Sequence, residues 1–132
     1  MCRVQDILEN MPAASKTQPS ALDVAEFILQ RSGPLEPLKL QKLVYYCQAW
    51  SLVWRNAPLF PEPIEAWVHG PVVPELYQVH SGRAPAVTVG GNASRLRKDQ
   101  QAIVTEVLRY YGARSPTALR KLTHDEAPWG QA

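Results

Sequence analysis

The longest apolar stretch of the chain runs from Leu38 to Arg55 and reads LKLQKLVYYCQAWSLVWR. Between Leu43 and Trp54, only Gln48 and Ser51 are neither apolar nor aromatic. A helix that is apolar on nearly all sides is normally buried, so we expect this stretch to form the central helix of the core. It is too short and too often interrupted by polar residues for a membrane span.

Helix-start and helix-stop residues predict the element before the central helix. Ser20 is a suitable N-cap, and Asp23 three residues later can complete a capping box. Gly33 is suited to end this helix because glycine adopts the conformations that helix C-termini require. Pro37 should then be the first residue of the central helix, since proline is favourable where the backbone N–H has no partner.

A second amphipathic stretch runs from Leu96 to Tyr111, where Gly112 ends the pattern. Its apolar residues recur at helical spacing and place Ile103, Val107 and Tyr110 on the inner face. Charged and amide side chains occupy most of the other positions. We therefore expect a surface helix that packs one side on the central helix.

The segments between these helices contain turn residues and short β-branched runs. Three prolines between positions 58 and 63 exclude a helix there, and the pattern allows strands at Ile64 to Val68 and at Val87 to Val89 that could pair as a small β-hairpin. Short helices are predicted from Pro74 and from Ser115. The fold class is therefore mainly α, a single compact helical domain around the buried central helix Leu38–Arg55.

Length and composition fit one domain with an ordinary hydrophobic core. The chain has 132 residues and a formal charge of +2, which by itself indicates neither nucleic acid nor an anionic membrane as partner. Two cysteines do not make a disulfide framework, and the N-terminus lacks the apolar run of a signal peptide, so we expect a cytoplasmic protein. Residues 1–19 read as an N-terminal extension, a short helix plus a linker, that precedes a domain over residues 20–132.

Catalytic and metal-binding patterns are weak. Cys47 lies on the apolar stripe of the central helix, where a thiol is normally buried and inert. His69, His80 and His124 are far apart, and no Cys or His pair has the spacing of zinc ligands. The two glycine-rich phosphate-binding motifs, G-x-x-x-x-G-K-[ST] and G-x-G-x-x-G, do not occur in the chain. We expect no catalytic residue, no metal and no cofactor.

The segment IEAWVHGPVVPELY combines prolines and a glycine with aromatic side chains in one rigid turn. Such a turn suits two roles. Trp67 could pack on the central helix as a structural residue, whereas a preorganised backbone with aromatic anchors also suits a protein-binding patch. For Trp67 the structural role is favoured, and for His69, Glu75 and Tyr77 both roles stay open.

Basic residues cluster around the second amphipathic stretch. Positive side chains with neighbouring tyrosines could form a stripe that binds phosphates and stacks on bases, although Asp99 and Glu106 dilute the charge. An exposed helix face of this kind can equally serve a protein partner. The candidate partner-binding residues are therefore His69, Glu75, Tyr77, Arg95, Arg97, Lys98, Gln101 and Arg109.

Three motifs, in this order, resemble one family: LKLQKLVYYCQAW, PLFPEPIEAWVHGPVVPELY and LTHDEAPW. They are similar to the Panacea domain of the SocA-like antitoxins of bacteria and their phages, over roughly Ala21 to Trp129. The resemblance implies a mainly helical domain that neutralises a cognate toxin by binding it. One branch resembles an adaptor that delivers its toxin to a Clp-type protease, and no catalytic residues belong to the family pattern.

The motif residues are expected to build the scaffold, because family members serve unrelated toxins. The scaffold residues are Leu40, Lys42, Leu43, Tyr46, Trp50, Trp67, Gly70, Pro71 and Trp129. Toxin choice should then depend on residues 1–19, the loop from Gly82 to Leu96 and the exposed face of Leu96 to Tyr111. The chain departs from the pattern at Glu36, where members often have a Ser or Thr cap.

Three functional hypotheses follow. The first is an antitoxin that binds its cognate toxin directly, with delivery to a Clp-type protease as an extension. The second is a nucleic-acid-binding regulator that uses the basic residues from Arg95 to Arg114. The third is a thiol hydrolase that uses Cys47.

Overall fold

A computed structural model describes residues 18–114 of the chain, so residues 1–17 and 115–132 lie outside the described part. The elements, in chain order, are α1 (Ala21–Ser32), α2 (Pro37–Arg55), β1 (Glu65–Trp67), β2 (Gly70–Val72), α3 (Pro74–His80), a 3-10 turn (Ala93–Arg95) and α4 (Lys98–Tyr111). The predicted fold class, mainly α with a small hairpin, is confirmed. The predicted helix from Ser115 and the extension over residues 1–19 fall wholly or mostly outside the described residues.

Helix α1 begins with the predicted capping box. The Asp23 amide donates to Ser20 Oγ at 3.1 Å, and the Ser20 amide donates to Asp23 Oδ2 at 2.9 Å. The helix ends before Gly33, whose φ of +82° is readily adopted only by glycine. Val24 and Ile28 are fully buried, so α1 contributes one wall of the core.

Helix α2 begins at Pro37, as predicted, and Glu36 at its N-cap makes no side-chain capping bond. Its first three turns bury four apolar side chains completely, namely Leu40, Leu43, Val44 and Cys47. These side chains join the core cluster that α1 and α4 complete. The interpretation of α2 as the central core helix therefore holds over this part of its length.

The last turns of α2 do not fit the expected burial on all sides. Val53 is 68% exposed, and Leu52 and Trp54 are about half exposed. Among residues 51–55 only Ser51 is buried, so within the described part of the chain these last turns are covered on one side and their apolar residues face outward. Burial on all sides was a wrong prediction for this end of the helix.

Helix α4 lies antiparallel to α2. Lys39 near the start of α2 donates to the carbonyl of Gly112, and Arg55 at the end of α2 pairs with Asp99 at 3.2 Å. The buried stripe of α4 includes Ile103 and Val107, as predicted.

Tyr110 was also predicted on the inner face of α4, but it is 67% exposed, and that prediction is wrong. The helix turns 100° per residue, so a step of four from Val107 stays closer to the buried face than a step of three. Tyr111 is therefore the inner residue, and its ring stacks on Tyr46 with centroids 4.0 Å apart.

The hairpin pairs β1 with β2, antiparallel, with Glu65 opposite Val72 and Trp67 opposite Gly70. The expected second strand at Val87 to Val89 is therefore wrong. Closing a two-residue turn costs less entropy than closing the long loop to residue 87. Val89 instead donates its amide to Glu26 Oε1 at 2.9 Å.

The loop before α4 lies on the first turn of α1. The Asn92 amide donates to Asp23 Oδ1 at 2.8 Å. A Cβ atom on Gly91 would lie 2.1 Å from the carbonyl oxygen of Leu22. Glycine is therefore required at this position because two backbone segments approach each other too closely for any side chain.

Replacing Gly91 with alanine should destabilise the domain by about 2–3 kcal/mol, because the clash is with backbone that cannot move aside cheaply. Gly90→Ala is the matched control. A Cβ there meets nothing within 4 Å, and only its φ of +77° opposes alanine, at about 1 kcal/mol. Urea unfolding measures both variants, and an equal loss for the two would contradict the close approach.

Candidate partner-binding surfaces

A pocket of about 330 Å³ lies between the hairpin, the start of α2 and the segment that follows α3. We name it the hairpin pocket. Its lining combines apolar side chains with two imidazoles and one guanidinium. The lining residues are Pro37, Leu38, Gln41, Trp67, Val68, His69, Val72, Tyr77, His80, Ser81, Gly82, Arg83 and Ala84.

The amide of Gln41 connects α2 to the backbone between β2 and α3. Its Oε1 accepts from the Val73 amide at 2.9 Å, and its Nε2 donates to the Val73 carbonyl at 3.2 Å. These two bonds set the orientation of the amide. The second hydrogen of Nε2 is left for His80, whose Nε2 lies 2.8 Å away.

This arrangement determines the protonation of His80. Because Gln41 donates to its Nε2, that nitrogen must be an acceptor, and the proton of the neutral ring is on Nδ1. Nδ1 is buried and has no hydrogen-bond partner on any other residue between positions 18 and 114. Desolvation lowers the pKa of His80 below its ordinary value of 6.5, which keeps the ring neutral near pH 7.

Aromatic side chains form the outer wall of the hairpin pocket. The Trp67 ring meets Tyr77 edge-on at 5.0 Å between centroids, and its Nε1 donates to Glu65 Oε1 at 2.9 Å. Trp67 is 39% exposed and lies outside the core cluster, so it does not play the core-packing role that the sequence favoured. Val68, at the tip of the hairpin, is 78% exposed.

The predicted partner-binding residues of this region are brought together only in part. His69 and Tyr77 both line the hairpin pocket, whereas Glu75 is exposed on α3 and is not a lining residue. Sequence reasoning missed His80 and Arg83 as members of the same site. No local pattern marked them, because their proximity to Trp67 depends on how the hairpin folds back.

The predicted basic residues lie on the surface but are largely paired with carboxylates. Three ion pairs include them: Arg95 with Asp23 at 3.7 Å, Arg97 with Asp99 at 3.2 Å and Arg109 with Glu106 at 2.9 Å. The hydrogen bond from Arg97 lowers the pKa of Asp99.

The remaining two candidate residues of this region, Lys98 and Gln101, do not extend the positive charge into a stripe. Gln101 donates its side-chain amide to the Leu96 carbonyl at 2.9 Å, and Lys98 is exposed. Three of the four predicted basic residues are therefore paired with carboxylates in the described part of the chain, and Asp99 is shared between Arg97 and Arg55. The predicted phosphate-binding stripe is not supported in the described part of the chain.

A second surface lies between the C-terminal half of α2 and α4. This helix groove has a volume of about 600 Å³ and is lined by Trp50, Trp54, Glu106, Val107, Arg109, Tyr110 and Tyr111. Trp50 stacks on Trp54 at 4.8 Å and donates its Nε1 to the Tyr111 hydroxyl at 3.1 Å. The sequence did not reveal the groove because Trp54 and Tyr110 were predicted to face the core.

Most of the predicted scaffold residues in the described part of the chain are buried. Leu40, Leu43, Tyr46, Gly70 and Pro71 are buried. Lys42 is fully buried as well, and its Nζ donates to the Pro71 carbonyl at 3.4 Å, which ties α2 to β2. Trp50 is partly buried, and Trp129 lies outside the described residues.

Cys47 does not have the setting of a nucleophile. It is fully buried in α2, and desolvation raises the pKa of its thiol well above the ordinary value. In the stretch from residue 18 to residue 114, no cluster of His, Cys, Asp or Glu could hold a metal ion. Over the same stretch, no helix combines the length and the apolar composition that crossing a bilayer requires.

Both surfaces have exposed aromatic side chains beside polar ones. The family model described as Antitoxin SocA-like, Panacea domain, matches residues 40–130. The chain therefore belongs to the SocA-like antitoxin family. The resemblance indicated by the three motifs is confirmed.

A curated relative agrees with this assignment. Antitoxin SocA of Caulobacter vibrioides (strain NA1000 / CB15N) is 36% identical over 66 residues, which cover 47% of this chain and 35% of that protein. The chain thus spans about a third of the length of this curated relative. No solved structure gives a significant match.

The buried neutral His80 predicts a loss of stability in mild acid. The unfolded chain takes up a proton near pH 6.5, whereas the folded chain resists protonation until a lower pH, so stability falls as the pH drops below 6.5. The slope should approach about 1.4 kcal/mol per pH unit at most. Urea unfolding between pH 7 and pH 5 measures it.

His80→Leu should reduce this slope, whatever it costs at neutral pH, because the variant has no ring to protonate. His69→Gln is the control, since His69 is exposed at the tip of the hairpin. The same slope in wild type and His80→Leu would show that His80 titrates alike in the folded and unfolded chains.

Proposed function

We propose that this protein is an antitoxin that neutralises a cognate toxin by binding it directly with its folded surface. The observation that carries the proposal is the family match, which extends over residues 40–130. The two surfaces described above support direct binding. Large aromatic side chains such as Trp54 and Trp67 are exposed there, and these residue types contribute most to binding energy at protein interfaces.

The candidate contact residues are distributed over two sides of the domain. His69, Glu75 and Tyr77 belong to the side of the hairpin, whereas Arg95, Arg97, Lys98, Gln101 and Arg109 belong to the side of α4. The α4 side has more paired charges. Charged groups at a protein interface affect the orientation and the rate of association more than the affinity. Both sides have a preformed pocket, but the cationic residue that lines the helix groove is paired with a carboxylate of the same groove, so we assign the main anchor of the toxin to the hairpin side.

Two further features complete the proposal. The protein acts in the cytoplasm without catalysis, and residues 20–132 form the family domain after an N-terminal extension. An adaptor role, in which the bound toxin is delivered to a Clp-type protease, is the extension that the family resemblance suggests. Direct blocking of the toxin and its delivery to the protease both require that this protein forms a complex with the toxin.

Co-expression tests the proposal. The protein encoded beside this chain should arrest growth when produced alone, and growth should recover when this chain is co-produced. Blocking predicts an unchanged toxin level, whereas delivery predicts a toxin level that falls only in cells with a Clp protease. A neighbouring protein that is harmless, or that still arrests growth beside folded antitoxin, would contradict the proposal.

Leu43→Ala is the control for folding in the same assay. Leu43 is fully buried in α2, and removing its side chain should cost about 2–5 kcal/mol. Neutralisation should therefore weaken at higher growth temperature, where this variant unfolds first. Unchanged neutralisation by an unfolded variant would show that the folded surface is not what binds.

A further inference from the structure

We propose that the hairpin pocket takes a segment of the toxin in which a large apolar side chain stands beside an aspartate or glutamate. The inference rests on the proposed function, because the toxin is the partner that supplies this segment. It goes beyond that function by giving the chemical class of the toxin segment that binds. Two observations carry it: the shape of the pocket and the charge of its lining.

The shape suits one large apolar side chain. A volume of about 330 Å³ is at the small end of the range for ligand sites in proteins, and the pocket walls include Val68, Trp67 and Tyr77. All three side chains are substantially exposed before any partner binds. Covering them would remove apolar surface from water, which is the main gain when an interface forms.

The charge of the lining favours an anion. Arg83 is the one lining residue with a full charge at neutral pH, and no ion pair joins it to a residue in the described part of the chain. The acidic side chains of the neighbouring elements, Glu65 and Glu75, do not line the pocket. A partner carboxylate would therefore meet a guanidinium with no competing carboxylate in the lining.

His80 lines the same pocket as Arg83. Gln41 holds the Nε2 of His80 as an acceptor, so Nδ1–H is a buried donor that has no acceptor on another residue between positions 18 and 114 and interacts with the backbone of His80 itself. The carbonyl of His80 also accepts from the Arg83 amide at 2.9 Å, which fixes the turn after α3 that contains Arg83.

The helix groove lacks this combination. Its one cationic lining residue, Arg109, is paired with Glu106 at 2.9 Å, and Glu106 also lines the groove. An acidic segment would have to displace that carboxylate. The structure therefore assigns the acidic apolar segment to the hairpin pocket.

The first test measures the affinity of the purified toxin for variants at exposed positions. Arg83→Gln should weaken binding at least tenfold, and Val68→Ser should weaken it at least fivefold. The matched controls are Arg31→Gln and Val53→Ser, which are also exposed but outside the pocket, and each should change affinity less than twofold. Circular dichroism confirms that all four are folded.

The second test uses a small probe and does not depend on the toxin. N-acetyl-tryptophan, with a carboxylate, should shift the indole N–H resonance of Trp67 in a saturable way. Its uncharged amide should bind at least fivefold more weakly, and Arg83→Gln should remove the difference. Equal binding of the two probes, or binding of neither, would overturn the pocket assignment.

The two tests separate the possible failures. If wild-type protein neutralises the toxin while Arg83→Gln and Val68→Ser bind it as tightly as their controls, the toxin binds elsewhere and only this inference fails. If wild-type protein does not bind the toxin at all, the proposed function fails. The probe titration then still decides whether the pocket selects an anion.

Discussion

The two hydrogen bonds between the Gln41 amide and the backbone of Val73 join the core of this domain to its candidate binding site. They are buried, and they satisfy an N–H and a C=O group just where the chain leaves β2 and enters α3. Losing a buried bond of this kind leaves an unsatisfied group that costs about 1–3 kcal/mol. The position of the hairpin relative to α2 depends on this connection, together with the bond from Lys42 to Pro71.

The same amide determines the chemistry of the pocket. With both of its backbone bonds made, Gln41 presents one remaining hydrogen to His80, which places the ring proton on the opposite nitrogen. A residue of the LKLQKL motif thus acts on the pocket as well as on the core. The sequence-based separation between scaffold residues and partner residues is too strict here, because the helix that builds the core also supplies part of the pocket lining.

Local rules predicted the parts of the fold that depend on neighbouring residues. The capping box of Ser20 and Asp23, the helix start at Pro37 and the helix end at Gly33 all follow from backbone groups within a few positions. The exposure of Tyr110 was not predicted. Tyr110 and Tyr111 are neighbours on α4, and the apolar pattern did not show which of the two faces inward. The pairing of β1 with β2 also escaped prediction, since Val87 to Val89 had the better strand composition.

The candidate site was predictable only where its residues are adjacent in the sequence. Trp67, His69 and Tyr77 were noticed because one rigid segment contains them. Arg83 and Gln41 reach the same pocket from different elements, and their roles depend on tertiary contacts that no spacing encodes. Likewise, the basic residues around α4 suggested a charged stripe, but carboxylates from other positions neutralise several of them.

Gln41 sets both the placement of the hairpin and the state of His80. The imidazole nitrogens of His80 can be observed directly in a long-range ¹⁵N–¹H correlation spectrum at pH 7. We expect a neutral ring with the proton on Nδ1, and a change of tautomer or charge in Gln41→Leu. A wild-type ring protonated on Nε2, or on both nitrogens, would contradict this expectation.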